Sequence, residues 1–385
     1  MDVNILKRSR LAHLCFAITF FTSGLIVNFV EALFYVGLRP FNKRLYRKIN
    51  YYLCYTVYSQ LVCVAEWWAN VNLFLYIDKD EWKKYFGKEH GYCIMNHSYE
   101  IDWLMGWMAC EKMNVLGNCK AYAKKVIQYM PVLGWCWKFS EFVFLERSYE
   151  KDKQIISEQI KELSDYPDPM WLLLFPEGTR FTPEKHQISI EFAEKNNLPS
   201  LKHHLLPRTK GFLASLPSMR GKIPGIYDVL VVFKENEPVA PTMTSLLLGQ
   251  SVTAHMYIKR LPLDEVPNSE PQQEEYLRQL FVRKDKMKNS FLETGDFFKT
   301  SGVKRVEPWR PRRRIWPILN QVFWLIVVLI PLFYYLIKML FGGQFVYFSI
   351  GAGLIFIFYM LLKRTIKMSE TKHGSSYGIR NEKSN

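Results

Sequence analysis

The chain has 385 residues, of which 49% are hydrophobic and 16% aromatic, and a formal net charge of +15. That length allows one sizeable domain plus additional elements, and the aromatic excess falls in blocks, which points to membrane segments. The positive charge calls for anionic partners and, beside apolar blocks, favours lipid over nucleic acid; no zinc-finger spacing, basic-region heptad or aromatic RNA-binding signature occurs.

The N-terminus carries Lys7, Arg8 and Arg10 ahead of a mainly apolar stretch at 11–30. The stretch is long and no small-x-small cleavage site follows it, so an uncleaved anchor is expected rather than a removed signal peptide. A basic turn at 39–48 leads into 51–77, an aromatic block interrupted by Gln60, Glu66 and Asn70, which suits an interfacial helix better than a clean span. Basic residues lie on both sides of the first apolar block and leave its orientation undecided.

From about residue 86 to 300 the pattern is that of a globular α/β domain. Strand-like runs fall at 92–95, 142–145, 171–175, 227–233 and 251–258. Residues 149–164 form an amphipathic helical pattern with Ile155, Ile156, Ile160 and Leu163 on one stripe and Ser148 as the expected N-cap. Residues 271–291 read as a charged exposed helix that docks through Tyr276, Leu277, Leu280 and Phe281. Strands alternating with helices predict a mixed, partly parallel sheet flanked by helices.

Six basic residues between Lys304 and Arg314 precede the apolar blocks 315–341 and 345–362. Each block is near spanning length and the short neutral turn between them predicts a transmembrane hairpin with both basic ends in the cytosol. The expected organisation is membrane-anchoring helices at 1–84, a catalytic domain at 85–303, basic linker and hairpin at 304–368, and a polar tail at 369–385. The seven cysteines contain no CxxC pair, and several lie in apolar runs, where reduced buried thiols are expected.

Two segments carry the chemistry. Asn96-His97-Ser98-Tyr99-Glu100-Ile101-Asp102 follows one apolar run, and a loop turning into a helix at Ile101 or Asp102 would bring the carboxylate back to one ring nitrogen of His97. The carboxylate would then fix the tautomer while the other nitrogen accepts a proton. A capping Asp102 with a merely hydrogen-bonded His97 fits the same spacing, as does a metal reading with Glu100, though no second ligand cluster completes it. Glu177-Gly178-Thr179-Arg180 closes another run: glycine lets backbone N–H groups approach an anion, threonine adds a donor and arginine a bidentate fork. An ordinary polar turn is the plain alternative. Arg147 and the loop Leu206-Pro207-Arg208-Thr209-Lys210-Gly211 are further cationic sites at apparent strand ends. Gly374-Ser375-Ser376-Tyr377-Gly378 matches the serine-hydrolase elbow but lies in the polar tail without the strand and helix it needs. No phosphate-loop or dinucleotide fingerprint occurs.

In order and spacing, Asn96-His97-x4-Asp102, Phe144-Leu145-Glu146-Arg147, Phe175 to Arg180 and Leu206-Pro207-Arg208 resemble the four blocks of the glycerolipid acyltransferase superfamily. Glu66-Trp67-Trp68, Phe86 to His90, Leu205 to Phe212 and Gly374 to Gly378 are similar to the gamma/delta branch of 1-acylglycerol-3-phosphate acyltransferases. The resemblance implies the glycerolipid acyltransferase fold and acyl transfer from acyl-CoA to the sn-2 hydroxyl of lysophosphatidic acid, without an acyl-enzyme. It implies His97 as general base, Asp102 as its orienting carboxylate, and Arg147, Glu177, Gly178, Thr179 and Arg180 around the substrate phosphate, with Pro207 marking a fourth block that positions acyl-CoA or acceptor. It implies no cofactor beyond acyl-CoA as co-substrate, no metal, a lipid bilayer as partner and an endoplasmic-reticulum membrane location. The same machinery could serve another lysophospholipid, such as lysophosphatidylinositol or a lysocardiolipin, and a non-catalytic lipid-binding protein is the alternative of another class. The sequon Asn96-His97-Ser98 overlaps the base, which favours a cytosolic face for the catalytic domain.

Overall fold

The computed structural model describes residues 3–146, 149–234, 237–341 and 345–369. Arg147, the expected cap Ser148, the turn at 342–344 and the motif at 374–378 lie outside the described residues.

A short helix α1 (Val3–Arg8) leads into the long apolar α2 (Arg10–Gly37). The turn that follows is shorter than the basic run implied, because Asn42 accepts a hydrogen bond from the Leu45 N–H at 2.9 Å and starts α3 (Lys43–Cys63) inside it. A π-helical turn (Val64–Trp68) ends that helix, and β1 (Asn72–Tyr76) follows. The expected continuous interfacial helix over 51–77 is therefore wrong in its second half, since the apolar residues of 72–76 alternate in strand fashion within an aromatic stretch.

The domain continues through α4 (Lys79–Tyr85), β2 (Gly91–Met95), α5 (Asp102–Lys112), β3 (Cys119–Lys124), α6 (Leu133–Phe139), β4 (Val143–Leu145) and α7 (Tyr149–Leu163). Then come β5 (Trp171–Leu174), α8 (Pro183–Lys195), α9 (Lys210–Met219), β6 (Gly225–Phe233), α10 (Met243–Leu247), β7 (Thr253–Pro262) and α11 (Glu270–Thr294). The apolar α12 (Trp316–Phe341) and α13 (Phe345–Ser369) close the chain. By length and composition α2 and residues 316–339 are long enough to cross a membrane, and 345–361 is a shorter apolar segment.

The seven strands form one mixed sheet in the order β1-β7-β6-β2-β5-β3-β4. Every pair is parallel except β6 with β7. Helices cover both faces, so the central strands are buried throughout and read as continuous apolar runs. Alternation is visible at β2: Cys93 and Met95 join the core under α2, α3 and α5, while Tyr92 and Ile94 join the opposite core under α7, α9 and α11. The first of these cores is continuous with the N-terminal helices, which lie on the sheet layer and help to close it.

Two contacts seat the N-terminal helices. Gly24 of α2 lies so close to Val132 that an added Cβ would meet Val132 Cγ1 at 2.1 Å, so only glycine fits at this crossing. Arg47 of α3 is buried and its Nε donates to Glu141 Oε2 at 2.8 Å, while Arg39 reaches Oε1 of the same carboxylate at 3.2 Å. At the other end, the basic linker is pinned along the sheet edge: Leu75 and Trp309 exchange backbone hydrogen bonds of 2.9 Å, and Arg314 Nη1 donates to Glu111 O at 2.7 Å. Asn320 of α12 then bonds Thr56 of α3 twice at 2.8 Å.

Removing one partner of a buried ion pair strands the other charge. The Glu141→Gln variant is expected to lose about 3–5 kcal/mol of stability, read as a lower thermal midpoint of the detergent-purified protein, whereas an exposed control such as Glu293→Gln shifts it little.

Candidate active site

The site forms where β2 and β5, neighbours in the sheet, both end. Open parallel sheets hold ligands beyond the carboxyl ends of their strands, because the loops there diverge and leave a crevice. After β2 the chain makes one tight loop and enters α5 at Asp102. Asp102 is fully buried, and one of its oxygens, Oδ2, accepts from the Ser98 and Tyr99 backbone N–H groups at 2.7 Å each. His97 Nδ1 lies 3.3 Å from that same oxygen. With the Nδ1 proton directed at Asp102, Nε2 holds the lone pair and is the basic nitrogen. The imidazole is stacked on Phe175 at 4.4 Å between ring centroids, which fixes its plane, and it lines a large cavity.

The second segment meets the first through its backbone. The Phe181 N–H donates to His97 O at 2.8 Å, and the Arg208 N–H donates to Pro176 O at 2.8 Å. Gly178 has φ +69°, and an added Cβ would sit 3.1 Å from Arg208 Cδ, so the turn lets the Arg208 side chain lie against it. Thr179 and Arg180 are half-buried and line the cavity with Arg208 and Lys210. Lys185 Nζ, from the first turn of α8, donates to Thr179 Oγ1 at 2.8 Å and to Arg180 O at 3.2 Å. Burial, followed by the Arg180 charge, lowers the Lys185 pKa.

Glu177 is placed differently from its neighbours. Grouped with the phosphate clamp from the sequence, its carboxylate is instead buried and does not line the cavity. Oε1 accepts from the His97 backbone N–H at 2.7 Å and Oε2 from the Leu205 N–H at 3.0 Å. A buried acceptor already bonded to two amides has nothing to offer an anion; Glu177 is a brace between three loops. Burial pushes its pKa up to about 7, against the lowering effect of those two hydrogen bonds and of Lys288. Pro207 is buried in the loop between Leu205 and Arg208 and is likewise not a lining residue.

Two further residues settle open points. Glu100 Oε1 accepts from the Met243 N–H at 3.2 Å, so the extra carboxylate of the first segment ties the loop to α10. Asn96 is completely buried, with Nδ2 donating to Val231 O at 3.0 Å and Oδ1 accepting from Val231 N–H at 2.8 Å. A glycan on Asn96 would break both bonds whichever side of a membrane the domain faces, so the sequon does not distinguish the faces.

Sequence reasoning missed Lys185 and Lys288. Lys288 of α11 is buried, with Nζ donating to Ser98 Oγ at 3.1 Å and to His203 O at 3.3 Å. One turn earlier the buried Lys284 Nζ donates to Ile94 O at 3.0 Å. The expectation of a uniformly exposed charged face on this helix fails there, because two ammonium groups turn inward to cap carbonyls and hydroxyls at the strand ends. A spacing of four residues between lysines was the available signal.

The cavity has a volume of about 960 Å³, at the upper end for ligand pockets. His97, Arg180, Arg208 and Lys210 are among its polar lining, with Lys120, Lys124 and the carboxylates Glu100 and Asp152, and Phe16, Phe20, Leu61, Trp103 and Leu133, from helices on the sheet face, are among its apolar lining. It suits a molecule with an anionic end and a long hydrocarbon end.

Residues 79–234 match the acyltransferase family profile and 245–324 the acyltransferase C-terminus profile. The chain belongs to this family. The 1-acyl-sn-glycerol-3-phosphate acyltransferase delta of Rattus norvegicus is 40% identical over 98% of this chain and 97% of its own. The gamma protein of Homo sapiens is 39% identical over 97% of this chain and 96% of its own. The solved LPA acyltransferase PlsC of Thermotoga maritima is 14% identical, with a TM-score of 0.41 over 70% of this chain and 95% of that one.

The raised Glu177 pKa has a consequence for stability. Because the folded value lies above the ordinary carboxylate one, protonated Glu177 favours the fold below about pH 4.5, and this contribution is lost as pH rises towards 7. Thermal midpoints measured between pH 4.5 and 7.5 should show the wild type losing ground relative to Glu177→Gln as pH increases; parallel profiles would contradict this assignment.

Proposed function

We propose that the protein transfers a fatty acyl group from acyl-CoA to the sn-2 hydroxyl of lysophosphatidic acid, releasing phosphatidic acid and free CoA. The observation that carries this reading is the position of the His97 ring, backed by Asp102 and facing the cavity that also contains Arg180. His97 Nε2 takes the hydroxyl proton as the oxygen attacks the thioester carbonyl. The new C–O bond forms, the C–S bond breaks, and the proton held on His97 passes to the departing CoA thiolate. Asp102, beside Nδ1, supports the imidazolium in between.

Arg180 and Thr179 hold the acceptor phosphate, with Arg208 and Lys210 as additional cations at the same wall. Arg147, outside the described residues, is assigned to the same phosphate from the sequence resemblance alone. The fatty chain occupies the apolar part of the cavity, which accounts for a catalytic site built against α2 and α3. Glu177 and Pro207 shape the loops and do not touch substrate.

The protein is an integral membrane enzyme of the endoplasmic reticulum, held by helices in 1–84 and by the hairpin in 304–368, with the catalytic domain of 85–303 on the cytosolic side. The support is the length of α2 and 316–339 and the basic residues at both ends of the hairpin. The reaction uses acyl-CoA as co-substrate and no other cofactor.

A panel of lysophospholipid acceptors and acyl-CoA donors tests the reading, with lysophosphatidic acid expected to be the best acceptor; preference for lysophosphatidylinositol or a lysocardiolipin would move the assignment within the same chemistry. His97→Ala should lower kcat by ~10²–10⁴ without loss of membrane insertion; transfer at the wild-type rate would remove His97 from the mechanism. Arg180→Ala should raise the KM for lysophosphatidic acid well beyond any change in kcat, and an unaltered KM would argue against the clamp.

A further inference from the structure

Away from the cavity wall just described, three fully buried groups from three helices converge: Glu31 of α2, Cys54 of α3 and Cys136 of α6. Their ligand atoms all lie within 4.8 Å of one another. The Cys54 and Cys136 sulfurs stand 3.4 and 3.5 Å from the same oxygen, Glu31 Oε1. A tetrahedral zinc ion with bonds of about 2.3 Å to thiolate and about 2.0 Å to carboxylate oxygen places those donors about 3.5 Å apart. We propose that Glu31, Cys54 and Cys136 bind a structural divalent zinc ion that staples the two N-terminal helices to α6.

The groups around the three ligands fit that role. Asn28 Nδ2 donates to Glu31 Oε2 at 2.9 Å, holding the carboxylate with its other oxygen turned to the sulfurs. The Asn50 amide contacts Cys54 Sγ at 3.3 Å, and its Oδ1 is buried with no hydrogen-bond partner among the described residues. The same Asn50 Nδ2 donates to Phe139 O at 3.4 Å, which holds the amide beside the cluster. Charge fits as well. Glu31 has no ion pair among the described residues, and a lone buried carboxylate is costly. With both thiols ionised the cluster carries three negative charges, and the buried Lys120, close enough for its charge to act on Cys54, offsets one of them. A divalent cation cancels the rest. All three donors are buried, which suits an ion held for structure rather than one that takes up substrate.

The competing arrangement is a metal-free cluster in which both thiols donate to Glu31, or an oxidised Cys54–Cys136 pair. Metal analysis of the full chain separates these. The protein is purified in detergent through a tag without histidines, from cells grown with zinc and without chelator. The expected content is about one zinc per chain, falling below a tenth in Cys54→Ser/Cys136→Ser and in Glu31→Gln. Zinc should also protect both thiols from maleimide, and a strong chelator should lower the thermal midpoint of the wild type but not of the double variant. Wild-type protein with negligible zinc and either two free thiols or a disulfide overturns the proposal, as does zinc retained at full content by the double variant. Because the wild-type measurement stands alone, a variant that fails to fold leaves the outcome decided. The readout is metal content, so it is independent of whether lysophosphatidic acid is the acceptor.

Discussion

The candidate site depends on one buried carboxylate. Glu177 accepts from the backbone of His97 and from the backbone of Leu205, joining the loop after β2, the loop after β5 and the loop leading to α9. Backbone donors, unlike side-chain donors, cannot swing away, so these bonds set the distance between the base and the cationic turn. Asp102 acts similarly within the first loop, where two amides and the imidazole share a single oxygen. Lys288 supplies positive charge from behind, bonded to Ser98 and to the His203 carbonyl. The His97 ring and its loop are thus backed by polar groups that are themselves buried.

The cavity divides along the same line as the chain. Its polar wall comes from loops at the strand ends and its apolar wall largely from α2, α3, α5 and α6. An amphipathic substrate needs both walls at a fixed separation, which explains why the N-terminal helices are joined to the sheet by a buried Arg47–Glu141 pair and by the Gly24–Val132 crossing rather than by a loose tether. Of these helices, α2 is also long and apolar enough to cross a membrane.

What could be read from the sequence follows from how each element is buried. The runs at β2, β5 and β6 were legible because both faces of those strands are covered and the runs are apolar but for Asp228 in β6. The entry of Asp102 into a helix, and with it the His97–Asp102 contact, follows from a six-residue loop that has few ways to close. β3 was hidden because its residues, Cys-Lys-Ala-Tyr-Ala-Lys, include two lysines, one of which is buried against Tyr166. β1 was hidden inside an aromatic block, where an α-helical and a strand pattern look alike over five residues. Glu177 was assigned to substrate because a carboxylate in a polar turn carries no mark of which way it faces; only the amides of His97 and Leu205, far away in sequence, decide it.

The backbone exchange between Leu75 and Trp309 gives the linker a role beyond connection. β1 has β7 on one side only, so its other side would present unpaired amides and carbonyls to any passing strand. Trp309 satisfies those of Leu75, anchors its indole N–H on Ile77 O at 3.1 Å and packs edge-on to Trp82. A fragment cut before this residue would lose α12 and α13 and uncover a sheet margin at the same stroke. Its tendency to aggregate would then reflect an unguarded strand, and detergent alone would not cure it.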